Sequence, residues 1–123
     1  MLKALLFGVA TLTFGCATDK TDIGDATVGA ITFHIFREGP AATAGADTTL
    51  VLKSTAGGNP TSIVGWVGLE TADDSTKVDA VFDSGDGDYD IDITCPDPLP
   101  AGSQFWFTVD DDGAVETGMI DLK

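Results

Sequence analysis

The stretch "GDYDIDITCPDPLPAGSQFWFTVDDDG", residues 87–113, decides the fold. In its first part Tyr89, Ile91 and Ile93 alternate with Asp88, Asp90 and Asp92, the period of two expected of a strand with one buried face. The middle, "CPDPLPAGS", carries Pro96, Pro98 and Pro100; each lacks an N–H for a ladder, so this segment is a crossover and not a central strand. "QFWFTV" alternates again, with Phe105, Phe107 and Val109 on one side and Trp106 on the other. "DDDG" then turns the chain into "AVETGMIDL".

Toward the N-terminus the same pattern continues. "ATVGAITFHIF" reads as a strand, "EGPAATAGAD" as a loop of small residues, and "TTLVLKS" as a strand. "TAGGNPT" is a turn before the strand "SIVGWVGLE", and "TADDST" leads into the strand "KVDAVF". No segment sustains a helical period of 3.6. The expected fold is all-β, a single antiparallel β-sandwich of about seven strands. A chain of 123 residues with 43% hydrophobic content suits one domain with a real core. The expected organisation is a signal peptide over 1–15, an anchor and polar tether over 16–26, and the sandwich over 27–123.

The run from Gly87 through Tyr89, Ile93, Pro100, Gly102, Phe105, Phe107, Val109 and Asp111 to Gly113 resembles the last three strands of immunoglobulin-like and fibronectin-III-like domains of secreted bacterial proteins. Thr94-Cys95-Pro96 stretches that pattern. The resemblance implies an immunoglobulin-like sandwich that acts as a spacer, an adhesion module or a binding module. Fold alone does not choose among those roles.

The N-terminal "MLKALLFGVATLTFGC" has Lys3, an apolar run from Ala4 to Phe14, and then Gly15-Cys16. The run is too short to cross a bilayer as a helix but suits the apolar region of a signal peptide. Its end resembles the bacterial lipoprotein signal, with Gly15 before a lipid-modified Cys16. Thr13 stands where that signal usually has leucine, with Leu12 one place early. The resemblance implies lipidation of Cys16, with palmitate, and a membrane anchor. Ala17, in place of the aspartate of an inner-membrane retention signal, implies the cell outer membrane. Cys95 is then left without an intrachain cysteine partner. It reads as a structural cysteine at a strand end, since nothing marks His34, the sole histidine, as its catalytic base.

Twenty acidic against six basic side chains give a formal charge of −14, which argues against nucleic-acid partners and is compatible with cationic partners, with divalent metals and with simple solubility. The acids concentrate in "FDSGDGDYDIDI", where an EF-hand loop fails in both registers. Starting at Asp86, the sixth position is Ile91, where glycine must make the sharp turn; starting at Asp83, the third and fifth ligands are glycines. The strand reading instead places Asp88, Asp90 and Asp92 in a solvent-facing row about 7 Å apart. Their mutual repulsion in water is then only about 0.6 kcal/mol per neighbouring pair. Asp86-Gly87 becomes hairpin chemistry.

No cofactor is therefore expected, with a looser calcium site among Asp73, Asp74, Asp83, Asp86, Asp110, Asp111 and Asp112 as the alternative. No catalytic motif is present, and a non-enzyme is expected. The functional expectation is a lipid-anchored envelope protein presenting a small acidic domain to an unidentified protein or glycan; a structural spacer and a carbohydrate-binding accessory domain are the alternatives. The candidate contact residues are Trp66 and Trp106. Strand alternation puts both on the outer face of one sheet, because Ile63, Gly65, Val67 and Leu69 take the inner face of their strand. In an immunoglobulin-like order their strands, C and F, are neighbours.

Overall fold

The computed structural model describes residues 20–73 and 75–123. Nine strands form among them: β1 Lys20–Val28, β2 Ile31–Glu38, β3 Asp47–Ala56, β4 Ser62–Gly68, β5 Val78–Asp79, β6 Val81–Asp83, β7 Asp88–Thr94, β8 Gln104–Asp111 and β9 Ala114–Ile120. They make two antiparallel sheets. One runs β1-β2-β3-β7-β6 and the other β5-β4-β8-β9. With β1 and β5 set aside as outer additions, the orders β2-β3-β7-β6 and β4-β8-β9 are the ABED and CFG orders of an immunoglobulin constant-type sandwich. β4 and β8 are neighbours, paired from Ser62↔Asp110 to Gly68↔Gln104.

The count rises from seven to nine for two local reasons. "ATVGAITFHIF" is not one strand, because Val28 pairs with Ile31 across a two-residue loop, Gly29-Ala30. Gly29 sits at φ 61°, and a type II′ hairpin needs such a residue at its first central position. "KVDAVF" is also divided. Val78 and Asp79 pair with β4, Ala80 donates its N–H to Ile63 O at 2.8 Å, and Val81–Asp83 then pair with β7. The chain changes sheets at Ala80.

The expected tether over 16–26 needs a further correction. From Lys20 onward it is strand β1, paired with β2 over Lys20↔Glu38 to Val28↔Ile31 with a bulge at Asp22/Gly24. Its one large apolar side chain before Val28, Ile23, is buried in the core. That anchor and a ladder to β2 broken only by the bulge hold a strand whose composition is otherwise that of a loop.

The core lies between the sheets and follows the alternation. Ile31, Phe33 and Ile35 of β2, Leu50 and Leu52 of β3, and Tyr89, Ile91 and Ile93 of β7 face Ile63 and Val67 of β4 and Phe105, Phe107 and Val109 of β8. Phe33 and Phe107 meet edge-to-face across the gap, centroids 6.1 Å apart. Gly65 faces inward, and a Cβ there would stand 2.8 Å from Ile91 Cδ1; the missing side chain is what lets β4 and β7 approach. Tyr89 reaches past the core to donate its hydroxyl to Pro60 O at 2.6 Å, pinning the β3–β4 loop.

The hairpin turns Gly29-Ala30, residues 84–87 and Asp112-Gly113 gather at one end, together with the loop after Ala56 that carries the chain from the first sheet to the second. Lys20 opens β1 at the other end, beside Glu38.

Candidate functional site

Two groups of side chains stand out, one on the outer face of each sheet. The first is built by the β6–β7 hairpin. Asp83 pairs with Asp88 across it, and Gly87 N donates to Asp83 O at 2.7 Å to close the turn. Asp83 Oδ1 accepts from the Gly85 and Asp86 amides at 2.9 and 3.3 Å, which fixes its carboxylate at the strand end. Gly87 takes φ 71°, and Lys53 Nζ donates to Asp86 O at 2.8 Å. The hairpin expected from Asp86-Gly87 is present.

The aspartate row, however, does not face water as expected. Asp88 is buried, 4% exposed, and its Oδ1 has no hydrogen-bond partner. Asp90 is half-buried, and only Asp92 is open to solvent, where it accepts the Thr49 hydroxyl at 2.7 Å. The cause is lateral. β7 is an inner strand of its sheet, with β3 on one side and β6 on the other, so neighbours flank its outward side chains. Burial, and next the charge and hydrogen bond of Asp88, push the Asp90 carboxyl up to about 6, with smaller contributions from Glu38 and Asp83.

One carboxylate oxygen from each of Asp83, Asp88 and Asp90 lies within 4.8 Å of the others. Among the described residues no lysine, arginine or histidine makes an ion pair with any of them. Of the acids that the sequence singles out for metal, only Asp83 belongs to this cluster. Asp86 contributes backbone to the turn. Asp110, Asp111 and Asp112 form a separate hairpin end, in which Asp110 Oδ1 accepts from Gly113 N at 2.8 Å and Asp112-Gly113 takes positive φ at both positions, as a type I′ turn does. Asp73 is exposed on its loop, and Asp74 lies outside the described residues, as does Cys16.

The second group is aromatic. Trp66 and Trp106 pair directly across β4 and β8 and stack at 6.4 Å with planes 13° apart, on the outer face as alternation predicts. Both indole N–H groups turn back to the chain, Trp66 to Leu69 O at 2.7 Å and Trp106 to Gly68 O at 3.0 Å. The two differ in exposure, and Trp66 is only 2% exposed. Lys77 lies over its ring at 4.9 Å, and the Leu69 turn closes on its N–H edge. Trp106 stays half-exposed, and Met119, its partner on β9, is 45% exposed. The open part of the patch is therefore Trp106 and Met119, with Val115 further along β9.

His34 sits on the outer face of the first sheet between two carboxylates. Its Nε2 meets Asp22 Oδ2 at 3.0 Å, and its Nδ1 pairs with Asp25. The Asp25 hydrogen bond, against some burial and with help from Asp22, raises its pKa above 6.5. The register Asp25↔His34 brings them together, and that register is invisible until β1 is recognised as a strand. Cys95 is a buried cysteine just beyond β7 with no disulfide partner among the described residues; burial first, then Asp47, raises its thiol pKa, so it is poorly suited to act as a nucleophile.

No protein-family model, no curated protein and no solved structure matches this chain.

Proposed function

We propose that this chain is an envelope lipoprotein, anchored through Cys16, whose small acidic sandwich binds a partner through the outer face of its second sheet. The reading rests chiefly on one observation: the row Trp66–Trp106–Met119, in register across β4, β8 and β9, which is capped at Trp66 and open from Trp106 onward. A rigid aromatic anchor beside a flexible thioether, on a sheet face with no layer over it among the described residues, is the composition of a contact surface. The formal charge of −14 favours a partner whose rim is basic.

The anchor reading is supported by the charged start, the short apolar run and Gly15-Cys16. Lys20, the first described residue, lies in β1 only four residues after Cys16, so at most about 14 Å of chain joins the two. A lipid at Cys16 would hold the domain close to the bilayer with its hairpin turns pointing away.

A photo-crosslinking residue at Met119, in native cells, tests the surface. A discrete adduct at 119, absent when the same residue replaces Thr55 of the other sheet and lost with Trp106→Ala, supports the reading. Equal labelling at both positions, or none at 119, leaves the domain a spacer. Cys16→Ser should move the protein out of the membrane fraction; a wild-type protein found free in the soluble fraction would refute the anchor.

A further inference from the structure

The geometry points to a site for a calcium-sized divalent cation at Asp83, Asp88 and Asp90, on the outer face of the β6–β7 hairpin. Three observations carry it. The carboxylates converge, with one oxygen of each within 4.8 Å of the others, a spread that a single ion with oxygen ligands at 2.3–2.6 Å spans. Asp88 is buried, and its Oδ1 is left without any hydrogen bond, although burying such an acceptor unpaired is costly and is normally avoided. Thirdly, among the described residues nothing cationic makes an ion pair with the group. Lys53, on the adjoining strand β3, donates to the Asp86 carbonyl instead.

The scaffold suits the task. Asp88 and Asp90 share one face of an inner strand two residues apart, and Asp83 is brought opposite Asp88 by the hairpin register. The Gly85 and Asp86 amides hold Asp83 Oδ1, so its carboxylate is already oriented before an ion arrives. All three donors are hard oxygens with no histidine or thiolate among them, which selects calcium over the transition metals. Magnesium, which demands shorter and stricter octahedral geometry, fits less well. With three protein carboxylates and water completing the shell, the affinity belongs to the class of extracellular modules, about 10⁻⁴–10⁻³ M. This site lies on the opposite sheet from Trp106 and Met119 and does not depend on the partner surface.

Calorimetric titration of the purified full-length chain with calcium chloride, at about 0.15 M salt to screen diffuse binding to the acidic surface, tests the proposal. The expected result is one saturable site in that range, with magnesium at least several-fold weaker. About 10 mM calcium should also raise the melting temperature by roughly 6–12 °C. Asp88→Asn should weaken binding about 10-fold or more and remove the shift, whereas Asp110→Asn should leave both intact. If Asp88→Asn does not fold, Asp83→Asn, which keeps the oxygen that caps the turn, carries the same expectation. Absence of saturable binding to the wild type overturns the proposal. So does binding that survives the Asp83 or Asp88 change, or binding lost with Asp110→Asn.

Discussion

Replacing Asp90 with asparagine should make the metal-free protein more stable at neutral pH. Asp90 titrates at about 6 in the fold because it is half-buried and faces Asp88. Its unfolded value is 3.8. The folded state therefore holds this proton more tightly than the unfolded chain does. The stability contributed by protonated Asp90 is complete below about pH 4, is lost as pH rises toward 6, and is gone above it. A displacement from 3.8 to about 6 corresponds to about 3 kcal/mol at full strength. Asp90 is only part-buried, so solvent screening reduces the expected effect to about 1–2 kcal/mol. Asparagine removes the charge, keeps the shape and offers an amide N–H toward Asp88, whose Oδ1 lacks a donor. Urea denaturation in a chelating buffer, followed by tryptophan fluorescence, should show Asp90→Asn ahead of wild type by that amount at pH 7.5 and level with it near pH 4. Equal stability at pH 7.5, or a less stable variant, would refute the reasoning that like charges crowd this face. In saturating calcium the order should reverse, because the variant then lacks a ligand.

Other outcomes test the rest of the description. In single-tryptophan variants, Trp66 should emit blue-shifted and resist acrylamide, whereas Trp106 should be partly quenched; equal quenching of the two would contradict the capping of Trp66 by Lys77 and the Leu69 turn. Gly65→Ala puts a Cβ 2.8 Å from Ile91 Cδ1 and 3.3 Å from Trp106 O and should cost about 1–3 kcal/mol in chemical denaturation, since the Ile91 side chain must shift within a filled core to admit it. His34 should titrate above 6.5 by NMR, and Asp25→Asn should lower that value more than Asp22→Asn does. The stability from the His34 cluster is accordingly present below pH 6.5 and is lost as pH rises through the folded-state value.

Much of the sandwich can be read locally because its inner strands keep a strict period of two. Tyr89, Ile91 and Ile93, or Phe105, Phe107 and Val109, announce their buried face without help from the rest of the chain. β1 cannot be read that way. Its residues up to Gly24 carry one apolar side chain, Ile23, and the ladder to β2 that makes it a strand is a non-local fact. The same distinction runs through the two side-chain groups. Alternation gives the correct face for Trp66 and for Asp88, but not what else covers that face. Trp66 is covered by Lys77, eleven residues on and outside its strand. Asp88 is enclosed because β3 and β6 flank it, and β6 reaches its place only through the sheet change at Ala80. The convergence of Asp83 with Asp88 and Asp90 depends on that same crossing. A search for ligands at fixed spacing along one loop therefore rejects calcium registers at Asp83 and Asp86 yet misses a cluster assembled across two strands.

The most direct measurement is a crystal structure of the calcium-soaked protein with anomalous diffraction data. A single strong peak is expected on the outer face of the β6–β7 hairpin, 2.3–2.6 Å from carboxylate oxygens of Asp83, Asp88 and Asp90. A peak at Asp110–Asp112 instead, or no peak at the hairpin with Asp88 still buried, would contradict it.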